Sequence, residues 1–142
     1  MMDNSSRKVR SWTDNAIEEW ISSGTKICPG LTLSEILSAE SILDFKFPTD
    51  FIELYQKING FRDLDWNEHM FSFWPLERII AEYKTSEENN FIGFCDFLIN
   101  SHSIGFVKND SSIYKSYDRQ KPIAATFQEV VTMINESSDC IY

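Results

Sequence analysis

The chain is poor in the residues on which most enzyme chemistry is built: its 142 residues hold two histidines, three cysteines and five glycines. His69 opens an alternating stretch that reads as a strand, and His102 sits in the loop Asn100-Ser101-His102-Ser103. Neither belongs to an H-E-x-x-H pair, and no G-x-S-x-G elbow occurs. The glycines form neither G-x-G-x-x-G nor G-x-x-x-x-G-K-[ST], so the backbone cradle that a nucleotide's phosphates need is missing and no cofactor is expected. Cys28, Cys95 and Cys140 are odd in number, far apart and never C-x-x-C. They indicate neither a disulfide framework nor a zinc site, and a reducing compartment is the simpler expectation. Long apolar runs are also missing. No stretch approaches the ~20 apolar residues of a membrane span, and Met1 to Asn15 hold no signal-like apolar segment. A cytoplasmic protein without a membrane partner is therefore expected.

Positive charge is the other scarcity. Against 22 Asp and Glu stand 13 Lys and Arg, a formal net charge of −9. Phosphate binding draws its affinity from Lys and Arg releasing counterions, so a nucleic-acid partner is excluded. Acidity alone could mark a disordered chain, but 14% aromatic content, with 11 Phe, 5 Tyr and 4 Trp, supplies ample apolar surface to fold. The negative charge is spread along the body. Only the N-terminal arm, with Arg7, Lys8 and Arg10, is basic, and a solubility face is the plainest reading of the spread negative charge.

Periodicity predicts one domain over residues 1–142, with 1–12 as a flexible arm. A helix opens at Thr13 and places Ala16, Ile17, Trp20 and Ile21 on one face before Gly24. Thr32 and Glu35 form a capping box ahead of Ile36, Leu37, Ala39 and Leu43. Pro48 and Thr49 lead into the stripe Phe51, Leu54, Tyr55, Ile58, for which Asn59-Gly60 supplies a left-handed stop. Gly60 to Glu68 then reads as a polar loop and His69 to Trp74 as a strand ended by Pro75. Leu76, Ile79, Ile80 and Tyr83 return to helical spacing. Strands follow over Phe91–Ile99, Ile104–Lys108 and Ile113–Tyr117, the last two joined by a turn at Asn109-Asp110-Ser111-Ser112. A last helix is capped by Thr126 and Glu129. The order, helices first, an antiparallel meander next, a helix last, is that of an α+β fold whose β-sheet meander is covered on one face by helices.

One metal motif fails on inspection. Asp63, Asp65 and Asn67 occupy positions 1, 3 and 5 of a calcium loop, but position 6 is Glu68 where glycine is needed and position 12 is Trp74 where a bidentate Glu belongs.

The run Ala39-Glu40-Ser41-Ile42-Leu43-Asp44-Phe45-Lys46-Phe47-Pro48-Thr49-Asp50-Phe51, followed by Leu54-Tyr55 and Ile58-Asn59-Gly60, resembles the E-x-x-L…P-x-D/E-[FY]…NG signature of the SUKH superfamily. Phe73-Trp74-Pro75-Leu76-Glu77-Arg78-Ile79 and Ile123-Ala124-Ala125-Thr126-Phe127-Gln128-Glu129-Val130-Val131 resemble its later segments. The likeness spans residues 33 to 135. That group includes bacterial immunity proteins and fungal regulators of cell-wall glucan synthesis, so the resemblance implies a SUKH-like fold and a non-enzymatic protein-binding role. It implies no catalytic residue.

The expected partner is the basic domain of a toxin, met by an acidic surface with an aromatic anchor. The candidate contact residues are Asp63, Asp65, Trp66 and Glu68, with Glu87 and Glu88 taken as neighbours. For Trp66, packing back onto its own domain is the alternative. A rival enzymatic reading would use His102, Cys95 and Asp96, and an adaptor of signalling or wall synthesis would share the fold.

Overall fold

The computed structural model describes residues 11–62, 65–87, 90–98 and 101–142. Helix α1 (Trp12–Ser22) starts one residue earlier than its apolar stripe indicates, because the Ser11 hydroxyl accepts the Asp14 amide and caps it. Residues 11 and 12, assigned to the arm from sequence, thus belong to the fold; the first ten lie outside the described residues. Helix α2 (Leu33–Leu43) is started by the expected capping box: the Thr32 hydroxyl accepts the Glu35 amide at 3.1 Å and the Glu35 carboxylate accepts the Thr32 amide at 2.9 Å. It ends at Asp44, which takes the left-handed conformation at φ 51°. Asp is one of the few side chains that tolerates that region. Glu40 Oε2 accepts the Phe47 amide at 2.8 Å and folds the link to α3 (Thr49–Lys57) back over the end of α2.

The structure corrects the predicted stop after α3. The chain passes straight from Lys57 into β2 (Ile58–Phe61), which pairs antiparallel with β1 (Ile27–Pro29). Three residues, Ile-Cys-Pro, show no period, so β1 left no signal in the sequence. Asn59 and Gly60 are therefore strand residues with other work. Asn59 Oδ1 accepts the Leu76 amide at 2.7 Å and its Nδ2 donates to Glu77 Oε1 at 2.8 Å, capping α4 (Leu76–Thr85), whose own cap residue Pro75 offers no side-chain acceptor. Gly60, at φ 67°, lies against the peptide that joins Trp74 to Pro75; a Cβ there would stand 2.5 Å from the Trp74 carbonyl carbon. The Tyr55 hydroxyl completes the clamp, donating to the Trp74 carbonyl at 2.6 Å.

Strands β3 (Phe71–Phe73), β4 (Phe91–Phe97), β5 (His102–Val107) and β6 (Asp110–Lys115) form a four-stranded antiparallel sheet in chain order. The β5–β6 turn is the pair Lys108-Asn109, with Asn109 at φ 69°, so Asp110 to Ser112 are already strand rather than turn. A register shift between Gly93 and Cys95 is a bulge that brings both Phe94 and Cys95 into the interior. Helix α5 (Phe127–Asn135) follows, and Asp50 Oδ2 accepts the Gln128 amide at 2.8 Å in its first turn, where a carboxylate favours the helix dipole. Phe127 centres the core, 5.1 Å from Phe51 and 5.0 Å from Phe94 between ring centroids. Helices α1 and α5 run parallel: Trp12 packs on Phe127, and Trp20 Nε1 donates to Asn135 Oδ1 at 2.8 Å. The result is the expected α+β order, with helices covering one face of the meander, and a second, two-stranded sheet added.

Gly60→Ala is expected to lower stability by about 3 kcal/mol, from the cost of a left-handed alanine and the backbone shift its Cβ forces. For a domain of this size that is a fall in Tm of roughly 10 °C by calorimetry. An unchanged Tm would contradict the clamp.

Candidate protein-binding surface

The loop that leads from β2 to β3 is built by two side chains. Asn67 is buried, and its Oδ1 accepts the amides of His69 and Phe71, both at 3.0 Å, while its own amide donates to the Phe71 carbonyl at 2.8 Å. This is an Asx turn closed onto the start of β3. Asp65 ties the other side: its Oδ2 accepts the Lys26 amide at 2.6 Å and its Oδ1 the Trp66 amide at 3.0 Å. The Thr25 hydroxyl donates to the Trp66 carbonyl at 3.1 Å. The loop is thereby fastened to the residues that follow α1.

These bonds divide the candidate residues by task. Asp65 holds the loop, its two oxygens occupied by backbone amides. Trp66 is half-buried, leaving part of its ring at the surface, and Glu68 is exposed at the tip with Oε1 3.4 Å from His69 Nε2. Glu87 is exposed beyond the end of α4. Asp63 and Glu88 lie outside the described residues. The loop and Glu87 are not neighbours: the Met70 carbonyl accepts the Leu98 amide at one end of β4, and Glu87 precedes the strand's other end at Phe91. Seven strand residues separate those ends by roughly 20 Å. Asn67 entered the sequence reading only as a position of the failed calcium loop, not as the residue that builds the turn; an Asn shortly before an alternating stretch was the available signal.

The rival trio does not assemble. Cys95 pairs with Ile104, and Phe97 with His102, so Cys95 and His102 share the core face of the sheet while Asp96, opposite Ser103, points to the other. His102, which the sequence placed in a loop, opens β5. Its Nε2 lies 3.0 Å from the Ile141 carbonyl oxygen, and partial burial pulls its pKa below the ordinary histidine value. On the opposite face Asp96 accepts the Trp74 indole N–H at 2.6 Å, with the Arg78 guanidinium 3.8 Å away and stacked 4.4 Å over the indole. Cys95 is buried among rings. Burial, reinforced by the negative charge of Asp96, raises its thiol pKa well above the usual value, the opposite of what a nucleophile needs. Among the described residues no group of three or more His, Cys, Asp or Glu is placed to hold a metal ion, and no helix is long and apolar enough to cross a membrane.

Comparison with family models matches residues 30–133 to the SMI1 / KNR4 family (SUKH-1). The chain belongs to this family. The match spans well over half of the sequence and begins near the capping box of α2. A comparison with curated proteins returned no match. Within the SUKH-1 chain the residues that carry the signature are engaged internally: Glu40 binds the Phe47 amide, Asp50 the first turn of α5, Tyr55 the Trp74 carbonyl, and Asn59 the start of α4. The signature is a scaffold.

In the native protein Cys95 is expected to resist a thiol reagent such as Ellman's at pH 8, reacting only on unfolding, whereas partly exposed Cys28 is the faster of the two. Mass mapping of the labelled peptides checks this. Rapid native labelling of Cys95 would contradict its burial.

Proposed function

We propose that this SUKH-1 protein is a non-enzymatic binding module, an immunity protein that neutralises a toxin by occupying it. The observation that carries the reading is the internal commitment of the signature residues. A family motif used up in hydrogen bonds and close packing leaves recognition to the surface, and the surface here is acidic, with a formal net charge of −9. A toxin that attacks nucleic acid presents a basic cleft. Complementary charge speeds the encounter and disfavours wrong partners, while an aromatic anchor contributes more of the affinity. On this reading Trp66 and Glu68 contact the toxin from a loop that Asp65 and Asn67 hold in place, together with Asp63. Glu87 acts at a distance, through charge; Glu88, its neighbour in sequence, lies outside the described residues.

The test is co-expression and calorimetry with the product of the adjacent gene. Binding is expected to weaken as NaCl rises from about 50 to 200 mM, because exposed pairs are screened over that range. Trp66→Ala is expected to raise Kd about thirtyfold, a cost of about 2 kcal/mol, with Tm little changed. A toxin bound with equal affinity by Trp66→Ala and without salt dependence would overturn the assigned surface. An adjacent gene for wall synthesis, with its product bound instead, would favour the regulatory role.

A further inference from the structure

The parallel pairing of α1 and α5 leaves a groove of about 400 Å³ open between them. Each helix lines it with one stripe at i, i+3, i+4, i+7 spacing: residues 12, 15, 16 and 19 from α1, and residues 128, 131, 132 and 135 from α5, joined by 136. Trp12, Ala16 and Val131 form its apolar floor, and Glu19 and Glu136 flank one end. That end is doubly negative. Parallel helices direct both carbonyl-bearing C-termini the same way, each equivalent to about half a negative charge, and neither α1 nor α5 has a basic residue in its last turn. The other end differs, because Lys57 Nζ lies 2.9 Å from Asp14 and bonds the Ser11 and Thr13 hydroxyls. The negative end also adjoins the loop of Trp66: the Thr25 amide donates to the Trp20 carbonyl, and the Thr25 hydroxyl to the Trp66 carbonyl.

We propose that this groove seats a cationic amphipathic helix of the partner protein, antiparallel to α1 and α5. The proposal rests on the protein-binding reading above and extends its surface from the Trp66 loop along the two helices. An antiparallel helix brings its positive N-terminus to the two negative C-termini and aligns all three dipoles favourably. Its apolar side chains enter over Ala16 and Val131, and its Lys and Arg side chains meet Glu19 and Glu136, a geometry in which an acidic helix would be repelled.

The probe is an acetylated, amidated helical peptide of about 15 residues with Leu and Ala on one face and Lys and Arg on the other, beside a Glu-substituted copy with the same apolar face. Binding is followed by NMR on the ¹⁵N-labelled full chain. The cationic peptide is expected to shift the Trp12 indole resonance and the amides of residues 15–19 and 128–136. Glu19→Lys with Glu136→Lys is expected to weaken it about tenfold or more, while Glu82→Lys, an exposed charge reversal on α4 outside the assigned surface, changes it less than about twofold. The spectrum of each variant reports whether it is folded; should the double variant unfold, Glu19→Gln alone is read for the same direction. Shifts that lie away from both helices, an acidic copy that binds as well, or equal weakening by Glu82→Lys would overturn the proposal. Because the probe is not the toxin, its failure leaves the toxin-binding test standing, and the reverse holds too.

Discussion

The structure depends on one crossing, where the peptide between Trp74 and Pro75 passes over β2. There the chain leaves the sheet and enters α4, and three β2-side residues determine how. Gly60 gives the room, Tyr55 binds the Trp74 carbonyl, and Asn59 caps the helix that begins two residues later. The same tryptophan extends the β3–β4 ladder, its amide donating to the Phe94 carbonyl at 2.8 Å, and its indole holds Asp96 on the outer face. A shift of one residue at this point would invert the faces of β3 and expose Phe71 and Phe73, both fully buried. Sheet, helix and outer face are thus set by one contact.

This explains what the sequence could and could not convey. Helix starts are local events, so the Thr32-Glu35 and Thr126-Glu129 pairs were legible, and both appear as caps. Asn59-Gly60 is also a recognisable pair, but its meaning is tertiary. The same two residues that would end an isolated helix instead receive a strand exit lying fifteen residues further along. The short β1 strand was silent for want of a period, and His102 read as loop because its neighbours are small and polar, although it is paired with Phe97. Of the candidate contact residues, their polarity was visible but not their employment. Asp65 looks like a free carboxylate in sequence and is bound to two backbone amides in space.

Separation of tasks follows from that employment. The interior is aromatic, with Phe51, Phe94, Phe106 and Phe127 in mutual ring contact, and the signature polar residues bind backbone groups of neighbouring segments. Nucleophile-like chemistry is suppressed where it might have arisen, since Cys95 is buried and its neighbour Asp96 raises its pKa further. For the proposed recognition the outside is left: the Trp66 loop, fastened through Asp65 and Asn67, and the adjoining ends of two parallel helices. A rigid anchor limits the ordering cost of binding, which favours a tight complex.

The central claim is that the scaffold residues fold the chain and the Trp66 loop region binds. Hydrogen exchange of the protein with and without the toxin tests it most directly. The account predicts that amides of residues 55–61 and of β4 exchange slowly in both states, and that the toxin adds protection at residues 65–69 and in the last turn of α1. New protection centred instead on the Trp74–Asp96–Arg78 face of the sheet, with the loop unchanged, would contradict it.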